Sequence, residues 1–415
     1  MISAVRGTRD ILPDQVERWQ RVEGVARRVC SRYGYYELRT PIIEREELFS
    51  KGTGESTDIV QKEMYSFDDK GGQRVTLRPE ATPGIVRAFV EHSLEQSLSV
   101  AKLFTLGPMF RYERPQKGRY RQFHQLNVEV FGVAEASLDA EVMEMACTLV
   151  GELGIDETEL VINSVGCPSC RPAFSEALLK ALGKDLPKLC VDCQRRAKTN
   201  PLRIFDCKVE ADQPTIGRLP HSTDYLCDAC REHFEAVQRY LRLYNQPFQL
   251  SHRLVRGLDY YTRTTFELLS SKLGAQNALL GGGRYDGLVK RLGGPDRPGI
   301  GFAAGLERLV LALPNSNDHQ MAPDVFVAAI GPSAQDAVFV LARTLRVAGL
   351  RTLVDYETRS AKAQMKRANR AGVRHVVILG DDELAAGEVT IKTMATGEQC
   401  KVARNQVVDI LLSAS

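Results

Sequence analysis

No run of the chain approaches the roughly 18 uncharged apolar residues of a helical membrane span, and no low-complexity tract interrupts it. A membrane-spanning bundle and a disordered chain are therefore both excluded. Tryptophan occurs once, aromatic residues reach only 7%, and 18 prolines are spread over 415 positions, so a fibrous or proline-rich scaffold is excluded too. Charge of one sign is also lacking: 55 Lys plus Arg face 52 Asp plus Glu, a net +3. Nucleic-acid contacts must then come from local patches. Arg6, Arg9 and Asp10 interrupt the start before an apolar signal region could form, and the expectation is a cytoplasmic protein with no membrane partner.

What the chain does have is material for large cores, with 43% hydrophobic residues. Its length exceeds the roughly 250 to 300 residues at which one core stops growing, which implies two or three domains. Six of the ten cysteines fall in Cys-x-x-Cys pairs, Cys167/Cys170, Cys190/Cys193 and Cys227/Cys230. In such a chain this spacing favours metal or redox chemistry over structural disulfides.

Val16, Trp19, Val22, Val25, Ala26 and Val29 recur at helical spacing between Asp14 and Tyr33. A strand-like run from Tyr35 to Glu44 follows, carrying Pro41, which suits an edge or an interface. Further strands are expected at 75–77, 101–110, 125–131, 160–163 and 263–269; so many strands with few helices between them argue for an antiparallel α+β sheet. Between Cys167 and about His252 the texture changes to an insertion with helices near 172–182 and 231–244. Glycines crowd residues 281–305 and lead into a helix at Leu306–Leu313, stopped by Pro314. Asn315–Pro323 reads as a linker. Beyond it, strands at 325–330, 351–356 and 373–379 alternate with helices at 334–348 and 361–371, as in a small α/β domain with a mostly parallel sheet. The expected division is an α+β domain over 1–322, with its insertion at about 166–250, and an α/β domain over 323–415. Residues 359–374 hold six basic side chains and no acidic one, and Lys362, Lys366 and Arg370 share a helix face.

From Arg111 to Arg121 five basic residues face one acid. Guanidinium groups there can form bidentate, permanently charged pairs with phosphate, or simply line a solvated hairpin. Phe123, Arg111 and Glu113 in one hairpin add a stacking ring and a polar edge beside such a clamp, which suits a purine nucleotide. The glycines of Gly299–Gly305 read as a turn before a helix bearing Arg308, with room for a close-lying phosphate. No Gly-x-x-x-x-Gly-Lys-[Ser/Thr] and no strand followed by Gly-x-Gly-x-x-Gly occurs. Gln125, Asn127 and Glu129 alternate and share one strand face, an arrangement that usually faces solvent. Arg78-Pro79-Glu80-Ala81-Thr82 and Arg256-Gly257-Leu258-Asp259-Tyr260-Tyr261 are the other polar stretches among strands.

With these residues in view the chain resembles a class II aminoacyl-tRNA synthetase, specifically the bacterial-type histidyl-tRNA synthetase family, along nearly its whole length. Pro41 matches the interface proline of the first class motif, Phe110–Glu113 the Phe-Arg-x-Glu hairpin, and Gly299–Arg308 the glycine-rich third motif. Leu254–Tyr261 and Gly281–Leu288 match the two histidine-specific signatures in full. The resemblance implies an antiparallel catalytic core with a C-terminal anticodon-binding domain, and a histidine–tRNA ligase that forms histidyl-adenylate and pyrophosphate before charging tRNA(His). It implies Arg111 on the α-phosphate, Arg119 and Arg308 on the outer phosphates of ATP, Phe123 on adenine and Glu113 at its amino edge. Glu80, Thr82 and Gln125 would take the α-amino and carboxylate end of L-histidine. Glu129 and Tyr261 would address the imidazole, Tyr285 would help close the pocket, and Tyr260 belongs to the same histidine-binding set. Arg256 would supply fixed positive charge at the α-phosphate during attack. Mg²⁺ is implied on the pyrophosphate side, a homodimer through the first motif, and tRNA on the face of Lys362, Lys366 and Arg370.

Two departures stand out. The family's Glu-Gly-Thr is here Glu80-Ala81-Thr82, harmless where that backbone does not need φ > 0, and Pro83 then removes an N–H and fixes φ beside Thr82. Cys167, Cys170, Cys227 and Cys230 bracket the insertion and could meet as a tetrahedral zinc site; Cys190, Cys193 and Cys207 form a competing set, and reduced buried thiols are the alternative to both. Cys30, Cys147 and Cys400 read as core cysteines. A different class of function stays open as the rival: the synthetase-like regulatory subunit of ATP phosphoribosyltransferase, which binds histidine without tRNA. Such paralogues typically lose the outer-phosphate arginines, the Arg256–Tyr261 signature or the C-terminal domain, and all three are present here.

Overall fold

The computed structural model describes residues 2–55, 57–113, 118–274, 277–314, 322–357 and 359–414. Arg114, Lys117 and the expected linker up to residue 321 lie outside them. The chain divides into two compact units, Met1–Asn315 and Ser316–Ser415.

Among the described residues the first unit is built on eleven strands: β1 (Tyr36–Glu37), β2 (Ile43–Arg45), β3 (Tyr65–Asp68), β4 (Arg74–Leu77), β5 (Ala101–Phe110), β6 (Gln122–Phe131), β7 (Thr158–Ser164), β8 (Gln249–Leu250), β9 (Thr262–Ser270), β10 (Ala278–Arg284) and β11 (Gly299–Gly305). Eight of them form one sheet in the order β1-β5-β6-β11-β10-β9-β7-β8, antiparallel except at its two edges, and β2-β4-β3 form a small second sheet. Pro41 interrupts the run expected to be one strand, so Tyr35–Glu44 contributes β1 to the large sheet and β2 to the small one.

Period-two alternation divides the large sheet into two faces. Leu126, Val128 and Val130 of β6 join the main core beneath the helices Pro13–Arg32, Ala136–Glu152 and Asp228–Leu243. Trp19, Val22, Val25, Ala26 and Val29 of the first helix are buried there, as its spacing requires. The residues between them on β6 point to the other face, which carries the site. A fully buried ion pair stiffens the helical side: Arg284 binds the carboxylate of Asp139, which also accepts from His233 Nε2 at 2.9 Å.

Gly299–Gly305 is a strand, not the turn its glycines suggest. Gly301 pairs with Glu129 on one side and Gly283 on the other. A Cβ on Gly301 would overlap the Val128 carbonyl and the Glu129 carboxylate, so glycine here allows close packing of strands rather than chain reversal. The insertion between β7 and β8 folds its first helices around an apolar cluster of its own, including Phe174, Leu178, Ile204 and Phe205, while its last helix, Asp228–Leu243, packs on the main core.

Among the described residues the second unit has five strands, β12 (Val325–Ala329), β13 (Thr352–Val354), β14 (His375–Leu379), β15 (Glu388–Thr393) and β16 (Gln399–Ala403), in the order β13-β12-β14-β15-β16. The first three are parallel, and the last two add antiparallel pairs. The sheet is therefore mixed rather than mostly parallel, because β14, β15 and β16 follow one another through short connections that permit only antiparallel pairing. Cys400 on β16 is exposed, not a core residue, whereas Cys30 is buried and Cys147 half-buried.

Candidate active site

Two adjoining cavities open on the face of the large sheet away from the helices. The deeper, of about 370 Å³, is lined by Glu80, Thr82, Gln125, Asn127, Glu129, Tyr260, Tyr261 and Tyr285. Glu129 lies on its floor, with Thr82 Oγ1 donating to Oε1 at 2.6 Å and the Tyr285 hydroxyl donating to Oε2. Burial lifts the Glu129 pKa to about 8 against these two hydrogen bonds, and the nearby charge of Glu80 adds to the lift. Glu80 is likewise buried and raised, first by desolvation, while it accepts from Thr53 Oγ1 and from the Tyr260 hydroxyl at 2.9 Å. A carboxyl on this floor, neutral or charged as its partner requires, suits a ring carrying one N–H donor and one acceptor.

The second cavity, of about 470 Å³, is lined by Arg111, Arg119, Arg256, Arg308, Phe123 and Glu113 among others, and shares Arg111, Glu113, Arg119, Gln125, Arg256 and Ala303 with the first. The Arg111 guanidinium carbon lies 5.3 Å from the centre of the Phe123 ring, and its Nε donates to the Pro79 carbonyl at 2.8 Å. Arg119 pairs with Glu113 at 3.2 Å, and Arg308 Nη1 donates to the Ala278 carbonyl at 2.6 Å. Burial first, and repulsion from Arg119 next, hold Arg308 below the ordinary arginine pKa. Like-charged guanidinium groups lining one cavity are relieved by a polyanion. Burial also works against Arg256, but Tyr261 and Glu267 outweigh it and raise its pKa, and Glu267 forms its ion pair. The buried Nε of Arg256 has no hydrogen-bond partner among the described residues, a donor available to a ligand.

Every residue expected in the histidine set or the nucleotide set lines one of the two cavities. Gln125, Asn127 and Glu129 share a face that looks into the site rather than into solvent. Ala81 has φ −97°, so alanine is unstrained where the family has glycine, and Pro83 sits in the first turn of the helix Thr82–Glu91, where a backbone N–H would lack a helical partner anyway. Several contributors had no sequence signal: Thr53 holds Glu80, Glu267 holds Arg256, and Glu307 accepts the His124 backbone N–H at 3.0 Å, fixing the helix that bears Arg308. Asp58 and Arg203, paired at 3.2 Å, add the outer lining of the deeper cavity.

In the insertion the donor atoms of Cys167, Cys170, Cys227 and Cys230 lie within 4.8 Å of one another, the sulfurs of Cys167 and Cys170 being 3.5 Å apart. In the second unit the helix Ala361–Ala371 runs from the Ser360 cap to Gly372, which takes the left-handed conformation at φ +68°. Gln364 and Ala368 face inward while Lys362, Lys366 and Arg370 are exposed; Arg367 is bound to Asp355 at 2.9 Å. Among the described residues no helix is long and apolar enough to cross a membrane.

A family model described as histidyl-tRNA synthetase matches residues 7–309, and one described as an anticodon binding domain matches residues 324–414. The histidine–tRNA ligases of Geobacter metallireducens and Geobacter sulfurreducens are each 51% identical to this chain, with 97% of the chain and 97% of the relative covered. The crystal structure of apo S. aureus histidyl-tRNA synthetase superposes with a TM-score of 0.84 at 37% identity, covering 99% of this chain and 100% of that one.

Proposed function

The chain belongs to the histidyl-tRNA synthetase family, an aminoacyl-tRNA ligase that joins histidine to tRNA with ATP, and from that premise we propose how its own residues divide the work. Glu129, held by Thr82 and Tyr285, receives the imidazole beside Tyr261; Glu80 and Gln125, with Tyr260 behind Glu80, receive the α-amino and carboxylate end. Arg111, Arg119 and Arg308 bind the triphosphate, with Phe123 against adenine and Glu113 at its amino edge.

The observation that carries this reading is that the two cavities share one wall, Arg111, Glu113, Arg119, Gln125, Arg256 and Ala303 lining both. It supports a geometry in which the histidine carboxylate attacks the α-phosphorus, the bond to pyrophosphate breaks, and the charge that builds on the α-phosphate oxygens meets Arg256 and Arg111. The terminal ribose hydroxyl of tRNA then attacks the histidyl carbonyl and AMP leaves. The Mg²⁺ that the family uses with ATP supplies neutralising charge at the outer phosphates. Glu113 and Glu267, paired with Arg119 and Arg256 in the same cavity, are carboxylates that would hold it there.

Three further assignments belong to the same reading. The thiolates of Cys167, Cys170, Cys227 and Cys230 hold a structural zinc that clasps the two ends of the insertion. Two chains pair around Pro41, a reading supported by Tyr36, Ile42 and Ile43, large apolar side chains exposed on either side of it. The exposed face of Lys362, Lys366 and Arg370 meets tRNA phosphate. The test is exchange of labelled pyrophosphate into ATP with each amino acid in turn, followed by transfer to tRNA. Exchange with histidine alone, then charging of tRNA(His), is the expected result; histidine binding without exchange would favour the regulatory-subunit reading.

A further inference from the structure

The insertion holds a second constellation that the four-cysteine zinc reading does not use. Cys190 caps the helix Val191–Thr199, Cys193 lies in its first turn, Cys207 follows the short helix Pro201–Asp206, and Asp212 ends the turn Glu210–Asp212. Sequence spacing points to the three cysteines; the carboxylate has no place in that pattern. In the fold the four donor groups lie within 4.8 Å of one another. The sulfurs of Cys190 and Cys207 are 3.8 Å apart, and Asp212 Oδ2 is 3.3 Å from Cys207 Sγ. Zinc bonds of about 2.3 Å to sulfur and about 2.0 Å to oxygen put neighbouring donors of a tetrahedron about 3.8 Å apart for two sulfurs and about 3.5 Å for a sulfur and an oxygen.

Buried thiols alone would be ordinary core residues. Asp212 is the observation that core packing leaves unexplained. It is 3% exposed, yet among the described residues no Lys, Arg or His forms an ion pair with it. Its carboxylate accepts the Cys190 backbone N–H, at 3.1 Å, and the Cys207 thiol. Neither donor carries a positive charge, and buried carboxylates are commonly paired with cations or coordinate metals.

We propose that Cys190, Cys193, Cys207 and Asp212 form a second metal site, binding one zinc-class divalent cation through three thiolates and a carboxylate. Binding expels the thiol protons to solvent and involves no change of oxidation state. Cys207 and its neighbours Asp206 and Lys208 line the arginine-rich cavity. The ion therefore fixes that wall from behind, as a positioning element that touches no substrate.

The full-length protein, stripped of metal under reducing conditions and titrated with Co²⁺, reports the site directly through thiolate-to-cobalt absorption. Wild type is expected to saturate at two equivalents, the C167S/C227S variant at one and the C190S/C207S variant at one, with zinc counts by mass spectrometry agreeing. Wild type saturating at one equivalent that C190S/C207S retains overturns the proposal, as does a Cys190–Cys207 disulfide with no second ion. One equivalent lost in C190S/C207S but kept in C167S/C227S supports this site and overturns the four-cysteine one. If C190S/C207S does not fold, the comparison of wild type with C167S/C227S decides: an ion kept by C167S/C227S supports the proposal, and no ion in that variant overturns it.

Discussion

The Thr82 hydroxyl donates to Glu129 Oε1 at 2.6 Å, which fastens the first turn of the helix Thr82–Glu91 to the strand that floors the deeper cavity. Together with the Tyr285 hydroxyl it holds one carboxyl in a dry seat where burial dominates its titration.

A pH dependence of histidine binding follows. Burial pushes the Glu129 carboxyl up to about 8, and a free imidazole titrates at about 6.5. Between these values both partners are neutral, and a proton passing from Glu129 to the ring needs no exchange with solvent. Below about 6.5 the ligand arrives as imidazolium and the complex must release a proton; above about 8 the seat is a carboxylate and the complex must take one up. We expect affinity to peak between the two, with calorimetry in buffers of different ionisation enthalpy showing release on the acid limb and uptake on the alkaline limb. Glu129→Gln should weaken binding and abolish the alkaline limb; an unchanged alkaline limb would remove Glu129 from this role.

Gly301 offers a packing test. Its added Cβ would meet the Val128 carbonyl and the Glu129 carboxylate, and backbone yields less readily than a side-chain end. Gly301→Ala is expected to lower stability by about 1–3 kcal/mol and to weaken histidine binding more than ATP binding. A fully stable variant with normal histidine affinity would contradict the close approach of β6 and β11.

How much of this was legible in the chain depended on whether a residue acts through its neighbours in sequence or in space. The alternation of Gln125, Asn127 and Glu129, the hairpin Arg111–Phe123 and the Arg256–Tyr261 signature all announce themselves locally. Thr53, Glu267 and Asp212 do not, because each matters only for what tertiary packing brings against it, Glu80, Arg256 and three cysteines respectively. The density of glycine at 299–305 misled in the other direction. Glycine marks both turns and strands that must pack closely, and only the pairing of β11 between β6 and β10 distinguishes them.

Asp139 and Arg284 form a structural pair on the helical side of the sheet, both fully buried. Removing one partner leaves an uncompensated charge, so Asp139→Ala is expected to cost about 3–5 kcal/mol in urea unfolding, while Asp139→Leu with Arg284→Met should recover much of that loss. The Asp139 pKa is held below its ordinary value by Arg284 and His233 despite burial, which alone would raise it. Its stabilisation is therefore full at neutral pH and is lost as pH falls from its ordinary carboxylate range through the depressed folded value. A double variant as unstable as the single one would contradict the pairing argument.

On the proposed reading, the exposed basic face of the second unit serves tRNA binding and not activation. Replacing Lys362, Lys366 and Arg370 by alanine should raise the KM for tRNA and lower the magnitude of the salt slope by about 0.7–0.9 for each phosphate no longer neutralised, leaving pyrophosphate exchange unchanged. An unaltered salt slope would assign that face to solvent.

The central claim is that the two cavities meet at Arg256, which serves the chemical step rather than histidine binding. The most direct test is histidine-dependent exchange of labelled pyrophosphate into ATP by wild type and Arg256→Ala, with histidine affinity measured on both. The expected result is near-normal histidine affinity with exchange reduced about 10²- to 10³-fold in the variant. Exchange at the wild-type rate in Arg256→Ala would contradict the account.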